Sequence, residues 1–151
     1  MRVMVLVKAT KDSEAGTMPS TELINAMGRF NEQLVEAGIM QAGEGLRPSS
    51  DGKRIAFDGA ARTVIDGPFA ATNELVAGFW LWTVKDMDEA VAWARRCPNP
   101  RPGPSELEIR PLYEMEDFAE AMTPEAAAPH DRARGKLDAR RAPSPVSTKG
   151  G

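Results

Sequence analysis

The order of predicted elements in this 151-residue chain indicates an α+β domain whose sheet carries helices on one face. Two predicted strands, Arg2–Lys8 and Val76–Val84, are apolar on both faces. Two helical patterns separate the strands, and Asp58-Gly59 is typical of a tight hairpin turn. The order strand, helix, strands, strand, helix, strand is the split βαβ plan with an inserted β-hairpin, so we expect a ferredoxin-like fold.

The first strand and helix are predicted from residue type and spacing. Arg2–Lys8 alternates valines with other apolar residues, as strands commonly do. The helix is expected to begin near Ser20 and to end at Gly38, which can take the left-handed cap conformation. Its apolar side recurs at helical spacing and consists of Leu23, Met27, Phe30 and Leu34.

A β-meander is predicted to follow this helix. Its first strand is Ile39–Leu46. Lys53–Phe57 and Arg62–Ile65 then flank the Asp58-Gly59 turn, so they form the inserted hairpin.

The second half of the predicted domain repeats the plan of strand, helix and strand. After Val76–Val84, Asp86 and Glu89 form a capping-box pattern that begins a helix, and Pro98 ends it. A proline-rich connection then leads to Glu106–Tyr113, where apolar and charged residues alternate. That alternation predicts an edge strand with one solvated face.

The chain is predicted to divide into a domain at residues 1–122 and a disordered basic tail at residues 123–151, rich in Ala, Pro and Arg. Residues 1–124 hold 13 Lys and Arg against 19 Asp and Glu, whereas residues 125–151 hold 6 against 3. An acidic body argues against binding to a phosphate backbone, so nucleic acid is not expected as a partner of the domain. The basic tail either contacts an acidic partner or nucleic acid, or only solubilises the chain.

The cysteine count and the N-terminus bear on location. Cys97 is the only cysteine, so the chain cannot form an internal disulfide. The apolar run at the N-terminus is too short for a signal peptide or a membrane span. We therefore expect a cytoplasmic protein with no membrane partner.

The predicted sheet has one face that no helix covers. Because Arg2–Lys8 and Val76–Val84 are apolar on both sides, something else must cover that face. A second copy of the chain is the expected cover, since closed homodimers are the commonest soluble assembly. A large ligand is the alternative.

The segment Asp66-Gly67-Pro68-Phe69 carries a resemblance to a known family. Together with Gly43-Glu44-Gly45-Leu46, Gly78–Trp82 and Glu108–Pro111, it resembles the YCII-related family, in the branch with the DGPF motif, over about residues 1–120. The resemblance implies a ferredoxin-like domain of the dimeric α+β barrel kind.

The same resemblance implies less about activity. The family is mostly uncharacterised, and some members have a His-Asp pair in a cleft. Members with the DGPF motif are often encoded beside, or fused to, sigma factors of the extracytoplasmic-function class. In this chain the only histidine, His130, lies outside the matched region, so a histidine-based mechanism is not expected.

Asp66 and Glu44 are the candidate catalytic residues. Asp66 ends a predicted strand and could act as a general base, or only accept backbone N–H groups in its turn. Glu44 lies between Gly43 and Gly45, where missing side chains allow close approach of a ligand or form a bulge. If the two carboxyls share a cleft, one could serve as acid and the other as base.

Four further residues are candidate substrate-binding residues: Arg110, Phe69, Asn73 and Trp80. Arg110 could clamp an anion or pair with a nearby Glu. Phe69 and Trp80 could line a pocket or pack in the core, and Asn73 could lie at a pocket rim or in a polar loop.

No cofactor or metal is expected, because the sequence lacks a Cys/His cluster, a complete dinucleotide fingerprint and a phosphate loop. Two functions stay open. One is an enzyme that acts on a small organic molecule by proton abstraction or elimination with a carboxylate base. The other is a non-catalytic ligand-binding or regulatory module linked to sigma-factor-controlled transcription.

Overall fold

The computed structural model describes residues 1–70 and 72–142. The chain forms two compact units, of which the first is Met1–Leu112 and the second begins at Tyr113. The strands are β1 Arg2–Lys8, β2 Met40–Gly45, β3 Lys53–Asp58, β4 Ala61–Asp66, β5 Val76–Thr83 and β6 Leu107–Pro111. The helices are α1 Lys11–Glu14, α2 Thr21–Glu36, α3 Met87–Ala94 and α4 Pro124–Arg141.

Four strands form one antiparallel sheet in the order β2-β5-β1-β6. The strands β3 and β4 pair only with each other among the described residues, as a separate hairpin. With α2 and α3 as the two connecting helices, this is the ferredoxin-like arrangement, so the predicted fold class is confirmed. The strand β6 lies at an edge of the sheet, as its alternating pattern predicted.

The core lies between the sheet and its helices. Val3 and Val5 of β1 and Trp82 of β5 are fully buried on the face towards the helices. Phe30 of α2 meets Trp82 edge to face, with ring centroids 6.4 Å apart, and Leu34 is fully buried beside them. Burial of these side chains fixes which face of the sheet the helices cover.

The helix ends follow the signals in the sequence. The Ser20 hydroxyl accepts a hydrogen bond from the backbone N–H of Leu23, which caps α2. Gly38 follows α2 with a φ of +72°, a conformation that glycine adopts without strain. The Asp86 carboxylate accepts from the N–H of Glu89 at 2.9 Å and so caps α3.

The DGPF segment attaches the hairpin to the rest of the first unit. Its Gly67 lies against the backbone of Ser49, and the Phe69 N–H donates to the Ser49 hydroxyl at 3.0 Å. That hydroxyl in turn donates to the carboxylate of Glu14, which ends α1. The motif therefore joins the end of β4 to two other segments of the chain.

The prediction of a disordered tail is wrong for Pro124–Arg141, because these residues form the helix α4. Thr123 caps this helix by accepting from the N–H of Ala126, and proline at the first helical position suits an N-terminus. The helix is polar all round and has no buried residue, so it lacks the apolar periodicity on which the sequence prediction depended. The rest of the predicted tail, residues 143–151, lies outside the described residues.

No helix within residues 1–70 and 72–142 is long and apolar enough to cross a membrane.

Substitution of Gly67 by alanine tests the role of the DGPF segment in the fold. A Cβ at Gly67 would lie 1.7 Å from the Ser49 carbonyl oxygen, so the two backbones must separate. We expect Gly67→Ala to lower the free energy of unfolding by about 3 kcal/mol in a urea titration.

Gly45→Ala is the matched control, because a Cβ at Gly45 would meet nothing within 4 Å. Equal stability of the two variants would show that the contact between Gly67 and Ser49 is not required.

Candidate functional site

A groove of about 420 Å³ lies between α2 and the β2-β5 side of the sheet. The helix contributes the apolar side chains of Leu23, Ile24 and Met27. The proline-rich connection after α3 contributes Pro100 and Arg101. The groove is therefore mostly apolar and of a size typical of small-molecule sites.

Glycines form the floor of this groove. Gly45 of β2 pairs with Gly78 of β5, which pairs in turn with Val7 of β1. At Gly45 an added Cβ would meet nothing within 4 Å, so the space above the sheet is open there. A larger side chain at Gly45 would occupy this open space, whereas at Gly78 an added Cβ would lie 3.1 Å from the Glu44 carbonyl oxygen.

Trp80 and Asn31 on the wall of the groove are joined by a side-chain hydrogen bond. The Trp80 indole N–H donates to the Asn31 side-chain oxygen of α2 at 2.9 Å. Gly43 allows this arrangement, because a Cβ there would lie 2.6 Å from Trp80 Cδ1. The indole ring is thus held between the core and the groove.

Arg101 supplies the positive charge at the groove. Its Nη1 donates to the Thr17 carbonyl at 3.3 Å, whereas its Nε is shielded from solvent and has no hydrogen-bond partner among the described residues. The loop around it is ordered by Asn99, whose amide nitrogen donates to the Gly103 carbonyl and whose oxygen accepts from the N–H of Arg101.

The two candidate catalytic carboxylates lie in different sheets. Asp66 ends β4 and forms an exposed ion pair with Lys53, its partner across the hairpin. Within residues 1–70 and 72–142 the partner of this carboxylate is thus the Lys53 ammonium, and no backbone N–H of the turn donates to it. Glu44 pairs with Phe79, and because side chains alternate along a strand, its carboxylate points away from the groove floor at Gly45. The groove has no lining contribution from Asp66.

The candidate binding residues also lie in different parts of the structure. Trp80 is 6% exposed, belongs to the core and lines the groove. Arg110 is exposed on β6 and lies 3.6 Å from Glu108, which is the alternative role that the sequence offered. Asn73 is exposed in a short turn at Thr72–Glu74 and does not line the groove.

Phe69 lies at a second, more polar cavity beside the DGPF segment. The Arg54 guanidinium stacks over its ring, 3.9 Å from the centroid. Glu14 and Ser49 line the same cavity but hydrogen-bond to each other, and the Ser49 hydroxyl also accepts from the Phe69 N–H. Because these groups are already paired, this cavity offers few free groups to a ligand.

The described residues contain neither a cluster of metal ligands nor an activated thiol. No group of three or more His, Cys, Asp or Glu within them could hold a metal ion. Burial raises the pKa of the Cys97 thiol to about 11, so little of the reactive thiolate forms near neutral pH.

The fold and groove define a ferredoxin-like α+β protein with a small-molecule-sized apolar site. A sequence model of the YCII-related domain matches residues 1–116, and the chain therefore belongs to the YCII-related family. It is also similar to an uncharacterized protein of Rhizobium meliloti (strain 1021), with 36% identity over 86 residues that cover 57% of this chain and 69% of the relative.

Sequence reasoning missed Arg101 and Asn31 at the groove. Arg101 lies in the connection after α3, where the prolines predicted only an irregular backbone. Asn31 lies on the predicted helix, and no motif surrounds it. The proline-rich segment close to a predicted edge strand was a usable signal, because ligand-contacting residues are common in loops placed by a rigid scaffold.

Substitution of Asp66 tests whether this carboxylate has a role beyond its ion pair. Since both partners are largely exposed, we expect Asp66→Asn to lower the free energy of unfolding by at most about 1 kcal/mol. A double-mutant cycle with Lys53→Met, followed by urea unfolding, measures the pair. A loss well above that value would show that Asp66 has structural contacts other than Lys53.

Proposed function

We propose that the protein is a non-catalytic small-molecule-binding module whose ligand lies in the groove between α2 and the β2-β5 side of the sheet. The observation that carries the proposal is the open floor at Gly45 beneath the apolar wall of α2. A mostly apolar cavity with a few polar groups is the usual form of such a site.

The enzyme hypothesis with a carboxylate base stays the second candidate. What favours it is that Glu44 lies on the strand that floors the groove. Its side chain, however, projects towards the other face of the sheet, and Asp66 lies in the hairpin. A general base must come within hydrogen-bond reach of the proton it removes, so the geometry favours binding over proton abstraction in the groove.

The proposal includes a homodimer formed through the face of the sheet opposite to α2. Two rows of paired residues cross that face. One row joins Phe79, Leu6 and Glu108, and the other joins Leu81, Met4 and Arg110. The centre of the face is apolar, and a self-complementary apolar patch suits a two-fold interface.

Two further expectations from the sequence stay predictions: a cytoplasmic location, and a link to sigma factors of the extracytoplasmic-function class. Both belong to the regulatory form of the proposal, in which ligand binding would be read out by a protein partner.

A variant with a larger side chain in the floor of the groove tests the binding proposal. Gly45→Val adds a branched side chain to the open floor, where an added Cβ meets no neighbour within 4 Å, so we expect a folded protein that has lost binding. The neutral probe is naphthaleneacetamide, and isothermal titration calorimetry on the full chain measures its affinity.

The control is Ala61→Val, which adds the same side chain at an exposed position of β4. Binding of the probe by Gly45→Val with wild-type affinity would overturn the groove as the site.

An arginine on the exposed sheet face tests the dimer. We expect Phe79→Arg to give a monomer in light scattering coupled to gel filtration, because a desolvated, unpaired charge at a symmetric interface occurs twice in each dimer. Val91→Arg on α3, at a residue 40% exposed, is the control and should leave the dimer intact. A monomeric wild-type chain would contradict the assembly.

A further inference from the structure

The groove contains a cation without a counter-charge. Arg101 is the cationic residue of its lining among the described residues, and no ion pair joins it to a described carboxylate. Glu44, the acidic residue of the lining, directs its side chain to the other face of the sheet. Asp12 lines an adjoining cavity to which Arg101 also contributes, and not the groove.

The hydrogen bonds of Arg101 leave one edge of its guanidinium unused. Nη1 donates to the Thr17 carbonyl, whereas Nε, shielded from solvent, has no partner in the part of the chain that the structure describes. A buried N–H without an acceptor is unfavourable by much more than an ordinary hydrogen bond is favourable. Nε and Nη2 together form the edge through which arginine binds a carboxylate with two parallel hydrogen bonds.

The loop around Arg101 is built to hold this group in place. Asn99 bonds to the backbone of Arg101 and of Gly103, and its oxygen also accepts from the Ser105 hydroxyl. Prolines at 98, 100, 102 and 104 restrict the same backbone further. The backbone of this loop is therefore held in place, and we expect access of a ligand to Nε to need movement of the Arg101 side chain only.

We infer that the groove selects small organic acids, with Arg101 pairing with the ligand's carboxylate while its apolar part lies over the glycine floor. This inference rests on the proposed function and adds the chemical class of the ligand. The apolar wall of α2 and the uncompensated guanidinium require an apolar body and an anionic end in one molecule. A purely apolar ligand would leave Nε without an acceptor.

A matched pair of probes tests the class. Naphthaleneacetate carries a carboxylate where naphthaleneacetamide carries a neutral amide of nearly the same shape. We expect the wild-type chain to bind the acid at least about tenfold more tightly in calorimetry, because charge-assisted hydrogen bonds are roughly twice as strong as neutral ones. Arg101→Gln should lower the affinity for the acid more than that for the amide and so bring the ratio of the two affinities close to one; an unchanged preference for the acid would overturn the role of Arg101.

Arg95→Gln is the control, since it removes the same charge at an exposed position outside the groove. If the wild-type chain binds both probes alike and Gly45→Val abolishes both, the groove is the site but the inference about acids is wrong. If neither probe binds, or Gly45→Val binds both normally, the proposed function fails and the inference with it.

Discussion

The pairing of β1 with β5 is the constraint on which the rest of the first unit depends. Val3 and Val5 pair with Trp82 and Trp80, and all four side chains face the helices and are buried. A shift of one residue in this register would expose the core residues and bury the opposite set. The position of α2, and hence the wall of the groove, follows from the pocket that these four side chains form for Phe30.

The groove exists because, at one end of the sheet, the same register brings glycines instead of large side chains to the face towards α2. Towards β6 the row through Val7 continues with Leu107, but towards β2 it continues with Gly78 and Gly45. Trp80 and Trp82 pack against Phe30 of α2, whereas an added Cβ at Gly45 would meet nothing within 4 Å. The indole of Trp80 lies at the boundary between the packed core and the open groove.

The DGPF segment has a structural role that its polarity did not suggest. Gly67 allows the backbones of two segments to meet, and the Phe69 N–H completes the bonding of the Ser49 hydroxyl. Asp66 instead pairs with Lys53 on the surface of the hairpin. A motif with an acidic residue in a turn suggests chemistry, but here it holds the inserted hairpin on the sheet domain.

The sequence by itself determined the fold class, because apolar strands, helix caps and the turn at Gly59 are local signals. It could not place Glu44 and Asp66 relative to each other, since their separation depends on how the hairpin attaches through Ser49. Nor could it reveal that Gly45 faces Gly78 beside Arg101, or that Pro124–Arg141 are helical without an apolar face. Only the tertiary structure decided the site, because a groove is a property of residues distant in sequence that share one face of a sheet.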